Sequence, residues 1–125
     1  MSKRILLIED EERIRAVVQA CLEDLGKWHV ILAASGDDGL KLADQHFLDA
    51  ILLDISMPDL DGFEICDRLK ANPATQSIPI VLLTAKTLPS DRARFAKMEI
   101  AGIISKPFNP LSLCQLLSDI LGWEL

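Results

Sequence analysis

Residues 50–54, Ala50-Ile51-Leu52-Leu53-Asp54, run four apolar side chains together and end on a carboxylate. A strand with one wet face alternates apolar and polar residues, whereas an unbroken apolar run is buried on both faces, as in a parallel sheet covered by helices. Two other stretches, Arg4 to Ile8 and Ile78 to Leu83, read the same way, and each leads into polar residues: Glu9-Asp10 after the first, Thr84 after the second. Trp28 to Ala34 and Gly102 to Ser105 supply two more strands.

Helical patterns fill the intervals. Ile14, Val17, Val18, Cys21, Leu22 and Leu25 recur at i, i+3, i+4 and i+7, and Gly26 stands at the stop position. Ser35 is placed to cap a second helix whose inward face includes Leu40, Ala43 and Phe47. Asp61 and Glu64 have capping-box spacing before Phe63, Ile65, Cys66 and Leu69. Pro89-Ser90-Asp91 opens a fourth helix around Phe95 and Met98, and Asn109-Pro110 opens a fifth that runs nearly to the C-terminus. Five strand-then-helix units with right-handed crossovers predict an α/β fold: a five-stranded parallel sheet, doubly wound, with five helices. In such folds ligands bind at the carboxyl ends of the strands.

The chain has 125 residues, half of them hydrophobic, enough for one core and too few for two typical domains, so residues 1–125 read as a single domain. There is no internal repeat or low-complexity segment, and the apolar runs fall far short of the ~20 residues that cross a bilayer. The N-terminus lacks the long apolar segment and cleavage site of a signal peptide, so a cytoplasmic location and no membrane association are expected. The net charge of −6, from 19 acidic and 13 basic residues, disfavours direct contact with nucleic acid. Cys21, Cys66 and Cys114 are scattered at apolar helix positions and read as buried, reduced thiols. His29 and His46 have no neighbour at metal or catalytic spacing and read as structural or surface residues.

The predicted strand ends gather Glu9, Asp10, Asp54, Thr84, Ser105 and Lys106 on one edge. Taken singly, acids at helix starts, a strand threonine and a surface lysine are ordinary. Together they match phosphoryl transfer to a carboxylate, where catalysis is mostly positioning and charge neutralisation. Asp54 is then the nucleophile. Three neighbouring carboxylates repel one another and an incoming phosphate, which calls for a hard divalent cation with oxygen ligands, Mg²⁺, with Glu9, Asp10 and Asp54 as candidate ligands or water-mediated contacts. Thr84 can donate its hydroxyl to a phosphoryl oxygen, and Lys106 brings a compact positive charge.

In the motifs Ile8-Glu9-Asp10-Glu11, Leu53-Asp54-Ile55-Ser56-Met57-Pro58 with Asp61-Gly62, Leu83-Thr84-Ala85 and Ser105-Lys106-Pro107-Phe108, the chain resembles the receiver domains of two-component response regulators, over Lys3 to about Ile120. The resemblance implies a flavodoxin-like sheet in order 2-1-3-4-5, metal bound by Asp10, Asp54 and the main-chain carbonyl of Ser56, Glu9 acting through water, and a cis Lys106–Pro107 bond. It implies that Ala85 leaves room for the donor, a phosphohistidine on a sensor histidine kinase or a histidine phosphotransfer protein, with acetyl phosphate as a substitute. Ser56 and Lys86 stand where the family tunes hydrolysis.

The chain departs from the family at Ile103, where most receivers carry the Tyr or Phe of an aromatic switch. The last helix departs from a simple amphipathic pattern, since Leu111, Leu113, Cys114, Leu116, Leu117, Ile120, Leu121 and Trp123 cover more than the ~100° that packing needs. Two readings stay open: an exposed patch near Leu116 and Trp123 for homodimerisation or partner docking, or a helix end folded onto its own core. The function expected is a phosphoacceptor switch with no output domain, acting on a downstream protein and catalysing only its own phosphorylation and dephosphorylation. The alternatives are a phosphatase resembling the haloacid-dehalogenase group, which uses a second acid two residues past the nucleophile where this chain has Ser56, and an interaction module that has lost the chemistry.

Overall fold

The computed structural model describes residues 3–55, 62–85 and 89–124, with backbone alone for 89–91. Five strands, β1 (Arg4–Ile8), β2 (His29–Ala33), β3 (Ala50–Asp54), β4 (Ile80–Thr84) and β5 (Gly102–Ser105), form one parallel sheet in the order β2-β1-β3-β4-β5. The helices are α1 (Glu12–Asp24), α2 (Gly36–Gln45), α3 (Gly62–Ala71), α4 (Pro89–Ala96) and α5 (Leu113–Leu121), the last entered through a 3₁₀ turn at Pro110–Ser112. The doubly wound order read from the resemblance is the observed one. Every residue of β3 and β4 is buried, which is why both sequences lack alternation.

The sheet separates two apolar layers. One holds Leu6, Ile8, Ile51, Leu53, Phe63, Ile65, Leu69 and Phe95; the other holds Ile5, Leu7, Val18, Leu22, Leu52, Val81, Leu113 and Leu117. Consecutive residues of each central strand thus serve opposite layers. The Phe63 and Phe95 rings stack at 5.6 Å between centroids and tie α3 to α4. Ser35 caps α2 as expected, its Oγ accepting from Asp38 N–H at 3.2 Å. Asn109 Oδ1 accepts from Leu111 N–H at 3.0 Å and starts the final turn.

Several expectations shift. Ile78 belongs to a turn, its N–H donating to Thr75 C=O at 3.0 Å, and the strand starts at Ile80. Phe47 lies past the end of α2 and is 78% exposed instead of joining the inward face. Val17 and Leu25 are exposed, and Cys21 is only half-buried, because α1 packs on the sheet through Val18 and Leu22 and the remaining apolar positions fall on its flanks. Gly26 follows α1, but the left-handed residue there is Lys27 (φ 59°); a Cβ on Gly26 would stand 2.8 Å from the Trp28 ring, so that glycine makes room for the tryptophan. The Asp61 capping contact lies outside the described residues, and Glu64 pairs with Arg68 at 2.9 Å.

At the C-terminus, Gly122 adopts φ 72°, a conformation that suits glycine, and turns the chain so that Trp123 meets Trp28 edge-on at 5.2 Å. Lys3 Nζ sits 5.2 Å from the Trp123 ring centre. Trp123 therefore folds back onto the core. Leu116 and Leu111 stay exposed, the latter at 74%. No helix among the described residues is long and apolar enough to cross a membrane.

Candidate functional site

Register places the site. Ile8 pairs with Leu53, so the residues that follow, Glu9 and Asp54, emerge side by side at the carboxyl edge. Asp54 pairs with Leu83 and Thr84 with Ser105, which brings Thr84 and Lys106 to the same edge in staggered steps. Main-chain bonds extend the ladder past the strand ends: Glu9 N–H donates to Ala33 C=O at 3.0 Å, Ile55 N–H to Leu83 C=O at 3.2 Å, and Lys106 N–H to Thr84 C=O at 2.8 Å. The bond preceding Pro107 is cis, as the resemblance implied.

Glu9, Asp10 and Asp54 each offer a carboxylate oxygen, and these atoms all lie within 4.8 Å of one another. Asp54 is buried at the centre, while Asp10 is exposed. Lys106 Nζ donates to Asp54 Oδ2 at 2.8 Å and stands 3.7 Å from Glu9 Oε1. The lysine thus compensates one carboxylate closely and the second at longer range. Thr84 is buried beside them at the end of β4.

Glu9 carries the clearest electrostatic signature. Its side chain is fully buried and neither carboxylate oxygen has a hydrogen-bond partner. Burial pushes its pKa from 4.5 up to about 8; the adjacent Asp54 carboxylate, toward which a protonated Glu9 can donate, adds to the rise, and Lys106 opposes it. A buried acid with two unsatisfied oxygens, facing two more carboxylates, fits a hard divalent cation that takes oxygen ligands. Ser56, the remaining metal contact expected from the sequence, lies outside the described residues, as does Lys86.

Arg15 is a member of the site that sequence reasoning did not single out. Its Nη1 donates to the main-chain carbonyl of Glu9 at 2.9 Å and to that of Asp10 at 3.3 Å, holding the acidic pair from behind. The nearby Arg13, Ile14, Val17, Ala85, Lys106 and Phe108 help to line a groove of about 470 Å³ that opens beside the lysine. His29 is exposed and His46 half-buried, and neither belongs to the acidic cluster.

The model of the response regulator receiver domain matches residues 5–118. Response regulator Rre1 of Synechocystis is 34% identical over 118 residues, covering 94% of this chain and 51% of that protein. The probable transcriptional regulator ycf29 of Pyropia yezoensis is 36% identical over 125 residues, all of this chain and 56% of its own. The chain therefore spans about half the length of these relatives. Among solved structures, Vibrio cholerae chemotaxis protein CheY4 superposes with a TM-score of 0.87 at 30% identity, over 96% of this chain and 99% of that one. The receiver domain of sensor histidine kinase PA1611 from Pseudomonas aeruginosa, with a magnesium ion coordinated in its active-site cleft, gives 0.84 at 32% identity, over 98% and 99%. By family model, fold and relatives together, the chain belongs to the response regulator receiver domains, the phosphoacceptor switches of two-component signalling.

Proposed function

We propose that Asp54 takes a phosphoryl group from a phosphohistidine donor, with Glu9, Asp10, Asp54 and Ser56 holding Mg²⁺, and that the change in charge alters the chain's contacts with a downstream protein. The observation that carries this reading is the buried Asp54 carboxylate, flanked by two more carboxylates and bonded to Lys106 at 2.8 Å. A carboxylate oxygen of Asp54 attacks phosphorus, the P–N bond breaks, and its electron pair leaves with the donor imidazole. Lys106 keeps its positive charge next to the oxygens that gain negative charge, and Thr84 offers a hydroxyl from the end of β4. When bound, Mg²⁺ supplies the positive charge that lets three carboxylates and a phosphoryl group share this space.

The groove beside Lys106 suits a protein donor, since Ile14, Val17, Pro107 and Phe108 give it an apolar wall that a partner surface can cover. Ala85 borders it with the smallest chiral side chain, consistent with an approach path to Asp54. A sensor histidine kinase or histidine phosphotransfer protein fills this role, and acetyl phosphate substitutes for it. Catalysis by the chain is confined to its own phosphorylation and dephosphorylation. A phosphatase reading is disfavoured by Ser56 at the position of the second acid, and an interaction-only reading by retention of the whole acid–lysine set. Output passes through protein contacts, for which exposed Leu111, Leu116 and Ile103 offer apolar surface, to a target or a second copy of the chain. Sedimentation with and without phosphorylation separates those two cases.

The deciding experiment is intact-mass spectrometry after acetyl phosphate with Mg²⁺, on the wild type and Asp54→Ala. One phosphoryl adduct on the wild type and none on the variant is expected. An adduct that survives Asp54→Ala overturns the assignment.

A further inference from the structure

Away from the carboxyl edge, on the opposite side of the sheet from Cys66, α1 and α5 bring two cysteines together. The Cys114 thiol donates to the main-chain carbonyl of Cys21 at 3.4 Å. The carbonyl oxygen lies about 2.4 Å from its own Cα by covalent geometry, so Cys114 Sγ stands within about 6 Å of the Cα that bears the second thiol. Two Cα atoms joined by a disulfide are separated by about 4.4–6.8 Å. The bond requires the Cα atoms of Cys21 and Cys114 to come within that range, from a contact that already sets the Cys114 sulfur against the main chain of Cys21.

We propose that Cys21 and Cys114 are a redox-responsive pair, which a peroxide-class oxidant converts into a disulfide joining α1 to α5. The two thiols differ in exposure, which sets Cys21 as the first to react. Cys21 is half-buried, whereas Cys114 is buried, and desolvation, with the Cys21 thiol adding to it, raises the Cys114 pKa from its ordinary value. In the first step the Cys21 thiolate attacks one peroxide oxygen, the O–O bond breaks, and one water leaves after proton uptake; Cys21 becomes a sulfenic acid. In the second, Cys114 loses its proton and attacks the Cys21 sulfur, the S–O bond breaks, and the departing hydroxide takes up a proton as the second water. The two sulfurs together give up two electrons, and the peroxide accepts them.

The pair sits apart from Asp54 but on the helix that walls the groove, since Val17 and Val18 precede Cys21 by about one turn. A covalent tie at Cys21 fixes α1 against α5 beneath that wall. Cys66 provides an internal control, because it packs in the other apolar layer, with Phe63 and Ile65.

The full chain is exposed to hydrogen peroxide, quenched with an alkylating agent, and analysed by intact mass and non-reducing peptide mapping. The expected product is a monomer lacking two hydrogens, with the peptides of Cys21 and Cys114 linked, and reversed by dithiothreitol. Cys21→Ala and Cys114→Ala each abolish it, and Cys66→Ala leaves it. Mapping on the wild type reads the pairing directly, so a variant that folds poorly does not obscure the answer. Oxygen addition at Cys21 with Cys114 still alkylatable, or disulfide-linked dimers in place of the internal bond, overturns the proposal.

Discussion

Replacing Glu9 with Gln should remove most of the pH dependence of stability in the metal-free protein. Glu9 is buried without a hydrogen-bond donor, and its pKa rises from 4.5 to about 8 on folding. Between those values the folded state holds a proton that the unfolded state has released, so stability is highest at acid pH and falls as pH rises, by about 1.4 kcal/mol per unit for one fully linked proton. From about pH 5.5 to about pH 7.5 this amounts to on the order of 2–3 kcal/mol, with the opposing pull of Lys106, 3.7 Å away, already contained in the value of about 8. Urea denaturation in EDTA at several pH values measures the slope, and Glu9→Gln should flatten it while stabilising the apo protein above neutral pH. Saturating Mg²⁺ should cancel the trend, because binding ionised Glu9 displaces its proton and so strengthens, as pH rises toward about 8, at the rate at which the apo protein weakens. Parallel pH slopes for wild type and Glu9→Gln in EDTA would refute the argument, since the proton would then reside elsewhere.

Arg15→Ala should weaken Mg²⁺ binding by about tenfold in calorimetric titration, in the range for residues that orient metal ligands, with only a small loss of urea stability; equal effects on both would make Arg15 a general structural residue. Lys106→Met removes the cation bonded to Asp54 at 2.8 Å and should slow phosphorylation by acetyl phosphate by about 100-fold, read by mass spectrometry over time. Trp123→Ala opens the edge contact with Trp28 and should cost about 2 kcal/mol in urea denaturation, from lost area and the aromatic pair, whereas an unchanged midpoint would mean that this end of the chain contributes nothing to the core.

The sheet was legible because burial on both faces forces continuous apolar runs, and β1 and β5 take the bounds that their sequences predict. The acidic cluster was legible for a related reason: polar residues that directly follow buried strands must come out at the sheet edge, and parallel register brings them together. Arg15 was not legible, because its partners are main-chain carbonyls that no side-chain pattern marks, and nothing in Arg13-Ile14-Arg15 sets one arginine above the other. Phe47 misled because a helical repeat does not register that the helix has ended: with α2 closing at Gln45, the ring falls outside the packed face. The two readings of the last helix could not be separated by counting apolar positions. Gly122 separates them, since its left-handed conformation directs Trp123 to Trp28 while Leu111 and Leu116 stay outside.

The position of Lys106 bears on how a signal leaves a site without an aromatic residue at position 103. In the unphosphorylated protein the lysine is committed to Asp54 Oδ2, and its own N–H is committed to Thr84 C=O. Under the proposed function Asp54 becomes an acyl phosphate, whose charge of roughly −1.5 to −2 lies farther out, on the phosphoryl oxygens, than that of the carboxylate it replaces. Lys106 then gains more from following the charge than from its old contact. Its main-chain bond couples that adjustment to the ends of β4 and β5, and Phe108 lies two residues further on, in the wall of the groove. Ile103 is already 37% exposed and carries a short branched side chain, so it has neither the reach nor the buried destination of a swinging ring. The physical economy of the site therefore favours a route through Thr84 and the Lys106–Phe108 segment, two strand ends joined by one hydrogen bond, over rotation of a side chain on β5.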